Sequence, residues 1–369
     1  MLDQRLFQEA DRQLTICNAC RYCEGLCPVF PALERRNSFL EGDILYLANL
    51  CHDCRACMPA CPYTDPHEFA IDIPTVMAEV RRETYISYAF PRIFGEAFMR
   101  RSRTVGIFTL VSVVLAIVLV WAGRPGDLFT AEIGPGAFYR VVPWLFMLIP
   151  ATVATAYAFL VMSLGLLRFW RDTDGPLRSR FNPLALLSAT GDVFGLRQMR
   201  GGGPGCSYPE EAPSHSRVLM HQLVFYGFLA TFASTTVAAG YQEILGILPP
   251  YDLLSLPVVL GTLGGVAQVI GCVGLLQMKV KGADQPATHV LRSLDVAFLM
   301  LLLLANVTGL ILLVARETPY MGVLLAIHLG VLAGLFVTFP YSKFVHLVYR
   351  YAALVRNRQE ERQEAALAR

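Results

Sequence analysis

The stretch "CNACRYCEGLCP", residues 17–28, is answered further along by "CHDCRACMPACP", residues 51–62, and both obey one rule. Cys17, Cys20, Cys23 and Cys27 are spaced C-x2-C-x2-C-x3-C and closed by Pro28. Cys51, Cys54, Cys57 and Cys61 repeat the spacing and are closed by Pro62. Thiolates three residues apart on a tight loop reach one cubane of iron and sulfide, while the fourth cysteine, leading out past a proline, points to a neighbouring site. The crossed ligation usual for this spacing places Cys17, Cys20, Cys23 and Cys61 on one [4Fe-4S] cluster and Cys51, Cys54, Cys57 and Cys27 on a second. Structural zinc also uses C-x2-C pairs, but it takes four ligands from two pairs and has no need of triplets ending in Cys-Pro.

Outside these sets the chain is greasy. Of 369 residues 54% are hydrophobic and 16% charged, which is the composition of a membrane protein carrying a modest soluble part. A net charge of only +2 gives nucleic-acid binding no electrostatic support. Met1 to Leu14 is polar and charged without an apolar core, so no secretory signal is expected there. The cysteine-rich part is then expected in the reducing cytoplasm, where thiols bind metal in preference to forming disulfides.

Between the sets, Leu40, Ile44, Leu45 and Leu47 follow a helical spacing, and Ile73 to Tyr85 reads as a further amphipathic helix. The module resembles the helical two-cluster ferredoxins of respiratory complexes, as in the iron-sulfur subunits of heterodisulfide reductase and glycerol-3-phosphate dehydrogenase. His52, among the cysteines, is read as a bystander, and His67, in "TDPHEF", has no partner visible in the sequence.

Six apolar segments have spanning length: about 104–122, 141–167, 217–240, 256–277, 293–315 and 320–348. Loops on one side carry Arg100, Arg101 and Arg103, then Arg168, Arg171, Arg178, Arg180, Arg197 and Arg200, then Lys279, Lys281 and Arg292, then the basic C-terminus. The opposite side holds only Arg124, Arg140 and Arg316. The positive-inside rule puts both termini in the cytoplasm. The expected fold is mainly α, with a two-cluster ferredoxin-like domain at 1–95, a six-helix transmembrane bundle at 96–350 and a cytoplasmic tail at 351–369. The loop 168–216, with "RGGGPGCSYPEEAP", reads as flexible, and Cys206 and Cys272 as reduced and inert.

An ionisable residue inside a span is a functional hypothesis by default. Three histidines qualify: His221 one turn inside the third span, and His328 and His346 on the sixth. As one helix, the last two would share a face, 18 residues or about 27 Å apart. Heme b needs two imidazoles at one depth. The third span starts at the cytoplasm and the sixth ends there, so His221 and His346 are the expected axial pair of a single heme b. His289 is the rival ligand, and Lys343, Arg217 and Arg350 are the candidates for the propionates. A nearby quinone would find Asp295, Tyr341 or His289 as proton donors.

The last span, ending "PYSKFVH", looks like the final heme-binding helix of the gamma subunit of respiratory nitrate reductase. That family carries two third-span histidines ten residues apart, whereas here the residue ten after His221 is Thr231. The departure argues for one heme and leaves His328 hydrogen-bonded in the core or waiting on an unidentified partner. Two cysteine sets fused to six spans ending "IHLGVLAGLFVTFPYSKFVHLVYR" resemble, over essentially the whole chain, the TcuB/CitB family of tricarballylate or citrate utilization proteins. The resemblance implies a bacterial inner-membrane electron conduit, not the dehydrogenase. A separate FAD-dependent flavoprotein oxidises tricarballylate to cis-aconitate, and this subunit passes the electrons to the quinone pool. The chain itself has no dinucleotide-binding glycine fingerprint and no soluble region large enough for a flavin domain. Alternatives are a subunit of a heterodisulfide- or sulfite-linked membrane complex, whose extra CCG-type motif is absent here, and a membrane-anchored redox sensor.

Overall fold

The computed structural model describes residues 2–123, 127–174, 182–282 and 286–367; the side chains of 127, 174 and 286–290 lie outside that description. Arg124, Arg178 and Arg180 fall outside the described residues, as does the side chain of His289. Among the described residues the chain is helical, without a strand; one isolated bridge joins Cys206 to Ser214.

The first part holds α1 (Gln4–Cys20), α2 (Val29–Glu34), α3 (Glu41–Leu50), α4 (Cys57–Ala60), α5 (Ile73–Tyr88) and α6 (Arg92–Arg100). Local chemistry sets their limits. Asp3 caps α1 by accepting from the Arg5 N–H, and Asp72 caps α5 by accepting from the Thr75 N–H, with Pro74 in the first turn where its missing donor costs nothing.

The membrane part holds α7 (Arg103–Gly123), the short α8 (Ala137–Val141), α9 (Trp144–Asp174), α10 (Pro183–Gly195), α11 (Ser216–Glu243), α12 (Leu256–Lys281), α13 (Pro286–Ala315) and α14 (Met321–Thr338). Among the described residues six helices are long and apolar enough to cross a membrane, one for each expected span. Glycines let their backbones meet. On α11 a β-carbon at Gly227 would stand 2.7 Å from the Gly264 carbonyl of α12, and one at Gly271 would stand 2.7 Å from the Met220 carbonyl. Small residues at such crossings replace the hydrophobic drive that lipid cannot supply.

The sixth span differs from its expected form. It is not one helix through residue 348, because α14 stops at Thr338 and the chain turns through two short 3-10 segments, Phe339–Tyr341 and Lys343–Val345. Pro340 removes a backbone donor and Ser342 is fully extended, so the α ladder cannot continue. The Ser342 hydroxyl accepts from the Phe344 N–H and starts the chain again. His346 therefore opens a new helix, α15 (His346–Leu367), and does not share a continuous helical face with His328.

That new helix also replaces the expected tail. Ala352, Ala353, Leu354 and Val355 are buried in one core with Leu47, Val80 and Phe169. Around them Arg356 pairs with Asp43 at 3.1 Å and Glu360 at 2.9 Å, Arg36 joins Asp43 and Glu360 to the cysteine module, and Arg358 grips the buried Asp192 of α10. The sequence "VRNRQEERQE" looks solvated, yet Arg356, Arg358, Glu360 and Glu364 all find ion-pair partners on distant elements. Leu354→Ala is expected to cost about 2–5 kcal/mol, the usual loss for a truncated core leucine. It should lower the unfolding midpoint of the purified protein, where a solvated tail would leave the midpoint unchanged.

Candidate functional site

Helix α1 delivers Cys17 and Cys20 on its last turn and ends at Arg21, whose left-handed backbone returns its N–H to the Cys17 carbonyl at 2.9 Å. Cys51 closes α3, while Cys57 and Cys61 bracket α4. Between Cys51 and Cys57 the residues Asp53 and Arg55 both take positive φ, which coils the loop tightly enough to aim successive thiols inward. The thiols fall into two groups. Cys17, Cys20, Cys23 and Cys61 line one cavity with Phe30 and Tyr63. Burial pushes the Cys17 thiol up to about 12, with Cys61, Cys23 and Cys20 adding to the rise. Burial also holds Cys27 well above the thiol range, helped by Cys54 and Cys51, and does the same to Cys57, helped most by Cys27. Crowded thiols of this kind deprotonate only against a compensating cation, so metal binding and proton release are linked. Among the described residues no three His, Cys, Asp or Glu side chains close on a single point as one ion requires. The first group surrounds a volume, which fits a polynuclear cubane and not a tetrahedral zinc.

The groups differ in depth. In the first group Cys17, Cys20 and Cys61 are half-buried and Cys23 is buried, near Tyr22, which is 70% exposed; in the second Cys51 and Cys54 are buried and Cys27 and Cys57 half-buried. Part of that cover is the loop after α10. Its Ser207 N–H donates to the Cys54 carbonyl at 2.9 Å, and the Cys206 thiol donates to the Met199 carbonyl. Gly202, at φ +77°, lies so close to Gly25 that a β-carbon would stand 2.5 Å from its carbonyl oxygen. The glycine-rich stretch expected to be flexible is a fitted lid over both cysteine loops.

Beyond the buried group stand the histidines. The rings of His221 and His346 have centroids 6.3 Å apart and planes at 86°. An imidazole nitrogen sits about 2 Å from a bound metal and the ring centre about 1 Å further, so rings on opposite sides of one ion are about 6 Å apart. His346 Nδ1 lies 2.5 Å from the Lys343 carbonyl, which leaves Nε2 free, the arrangement usual for a metal-ligating imidazole. His221 Nδ1 is buried without a partner. Burial, then the positive Arg350 and Lys343, hold His346 well below the usual histidine range, so it is neutral and able to ligate at pH 7. These residues fit an axial pair. His328 is elsewhere: its Nδ1 is hydrogen-bonded to Thr308 Oγ1 at 2.9 Å. Tyr341 donates to the Phe90 carbonyl at 2.7 Å and meets Tyr157 at 2.6 Å.

Cations crowd the space between the buried cysteines and the histidines. Arg55, Arg81, Arg217, Lys279, Lys343 and Arg350 stand there against two carboxylates among the described residues, Asp53 and Asp295. Lys343 contacts Asp295 at 2.9 Å, Arg217 approaches Asp53, and Arg350 Nε has no partner. Tyr208 from the lid spreads its ring under Arg55, Arg217 and Lys279, at 4.5, 5.2 and 5.6 Å. An enclosed surplus of positive charge is costly unless anionic groups offset it. Sequence reasoning missed Asp53, Arg55 and Arg81. The first two sit inside the motif "CHDCRAC", where the charge pattern was the available signal; Arg81, at 1% exposed, had none.

Family comparison adds to this picture. A family described as citrate utilization protein B matches residues 97–367, and its Fer4-like domain matches residues 10–87. The chain belongs to the citrate utilization protein B family. It is similar to a protein of that name from Escherichia coli, 42% identical over 360 residues, covering 96% of this chain and 92% of the relative. No solved structure matches. The Fer4-like match agrees with the cysteine geometry in calling for iron-sulfur clusters.

His52 gives a test of the site's electrostatics. Its Nδ1 lies 2.7 Å from the Leu50 carbonyl, and burial followed by Arg350 holds it well below the ordinary range. A histidine lowered in the folded state contributes stability that is present above about pH 6.5 and is lost as pH falls below it, because only the unfolded chain takes up the proton. Thermal unfolding between pH 7.5 and 5 should therefore steepen toward acid. His52→Asn should remove about one proton's worth of that slope, about 1.4 kcal/mol per pH unit.

Proposed function

We propose that this chain is a membrane electron-transfer subunit that accepts electrons from a reduced flavoprotein dehydrogenase and delivers them to quinone. The single observation carrying this reading is the order of the sites: partly exposed cysteines, buried cysteines, then the His221–His346 pair at the head of the membrane helices. Two [4Fe-4S] clusters and one heme b, when bound, supply one-electron stations between two-electron donor and acceptor. Cys17, Cys20, Cys23 and Cys61 hold the outer cluster; Cys51, Cys54, Cys57 and Cys27 hold the inner one. Exchange of Cys27 and Cys61 between the loops ties the two clusters together through the backbone.

His221 and His346 would hold the heme iron, and the cation surplus would suit both an anionic inner cluster and the heme propionates. Arg350, with its free Nε, is the best-placed propionate partner; Lys343 and Arg217 already carry carboxylates. The relative's name supports citrate as the carbon source served, and the family resemblance adds tricarballylate, the substrate being handled by the flavoprotein and not by this chain. The basic loops support a bacterial inner-membrane location with both termini cytoplasmic.

Purified protein should show about eight irons in clusters and one b-type heme in its reduced-minus-oxidised spectrum. His221→Ala and His346→Ala should each abolish the heme bands, and His328→Ala should retain them. Loss of heme in His328→Ala alone would overturn the pairing. Deletion of the gene should abolish growth on the carbon source served, and growth on tricarballylate and citrate separates the two candidates.

A further inference from the structure

An open groove of about 980 Å³ lies between the start of α7, the end of α12 and the start of α13. Its walls are apolar, with Val273, Leu276, Val296 and Met300 among them, and it opens sideways where Val273 and Met300 face the lipid. Lys279 lines it and leads away from it. Lys279 Nζ lies 2.5 Å from Asp295 Oδ2, Asp295 Oδ1 lies 2.9 Å from Lys343 Nζ, and the Lys343 carbonyl lies 2.5 Å from His346 Nδ1. An unbroken line of four residues thus joins the groove to the imidazole read above as an axial ligand.

We propose that this groove is the quinone-reducing site of the chain, with Lys279 as the donor to a quinone carbonyl oxygen; the proposal rests on the electron-transfer reading above. The occupant follows from the chemistry of the walls. An isoprenoid quinone is an apolar ring with two carbonyl acceptors and a hydrocarbon tail that must stay in lipid. The groove offers apolar walls, a lateral lipid opening and one fixed ammonium, and its volume lies within the ordinary range for small-molecule sites. An ammonium has three N–H donors, so Lys279 can keep its contact with Asp295 and still donate to the ligand. The reaction balances as quinone plus two electrons, which the chain's redox groups would supply one at a time when bound, plus two protons from water at the polar mouth, giving quinol; both C=O groups become C–OH. Arg103, Lys281 and Arg292 mark that mouth, and among the described residues none has a carboxylate partner. An anionic phospholipid headgroup is the competing occupant of those three charges.

The test uses the full chain with its clusters and heme, in lipid nanodiscs, reduced and mixed with decyl-benzoquinone. Heme reoxidation is followed by stopped flow, and occupancy is read separately with an azido-quinone photolabel. Val273→Trp, which fills the groove, and Lys279→Met should each slow reoxidation at least tenfold. Iron and heme content should stay at wild-type values in both variants, and the heme midpoint potential should stay there in Val273→Trp, which removes no charge. The label should fall on groove residues in the wild type and vanish in Val273→Trp. Val153→Trp, on the lipid-facing side of α9, should match the wild type. Wild-type reoxidation and labelling in both groove variants would overturn the proposal. So would native mass spectrometry finding a retained anionic phospholipid that is lost in a combined Arg103→Gln and Arg292→Gln variant, with quinone reactivity unchanged. A wild-type protein that takes the label in the groove but shows no b-type spectrum would sink the heme reading instead, so the two failures are distinguishable.

Discussion

Most of the molecule is arranged around the enclosed positive charge between the buried cysteines and the histidine pair. Arg81 arrives from α5, Arg217 from α11, Lys279 from α12, Arg350 from α15 and Lys343 from the link between α14 and α15, while Asp53 and Asp295 offset part of the charge. Guanidinium and ammonium groups taken out of water require anions of comparable number nearby. Helices from both halves converge on one region where positive side chains outnumber the carboxylates, and the cysteine module and the membrane bundle pack against each other there.

The break at Pro340 is the second constraint. Had α14 run straight on, the segment after residue 345 would leave the bundle along its own axis. The interruption lets α15 bend back beneath α3 and α10, and it places His346 at a helix start, where Lys343 can fix its ring through a carbonyl. The stacked rings of Phe339 and Phe344, with centroids 4.2 Å apart, close the turn from the apolar side. Positioning by an irregular segment suits a site that must meet the membrane on one side and the cysteine module on the other, because non-helical backbone at that depth is tolerated only when buried in protein.

Depth orders the rest. The cysteine group nearest the surface lies beside the exposed Tyr22, the other lies under the lid of residues 196–216, and the histidines lie beyond both. The lid is held by backbone hydrogen bonds, glycine contacts and a small apolar cluster in which Leu196, Met199 and Cys206 meet Cys54 and Ala56, so its sequence carries the composition of a loose loop while its structure is fitted. Excluding water there lowers the local dielectric, which strengthens every charge interaction at the inner site.

The sequence by itself determined the all-helical class, the six spans and the two cysteine sets, because each rests on local rules: hydrophobic length against bilayer thickness, and ligand spacing against the size of a cubane. His221 and His346 were also legible, since an ionisable residue in an apolar run is conspicuous. The tertiary structure alone decided that α14 ends before His346, that the C-terminal stretch is core, and that residues 196–216 form a lid. It alone decided the partners of Asp53, Arg81 and Asp295. A charged side chain on a sequence declares its cost but not its partner, and here the partners come from helices separated by up to several hundred residues, as Arg36 and Glu360 do. Which charges are paired, and on which elements their partners lie, is a property of packing and not of periodicity.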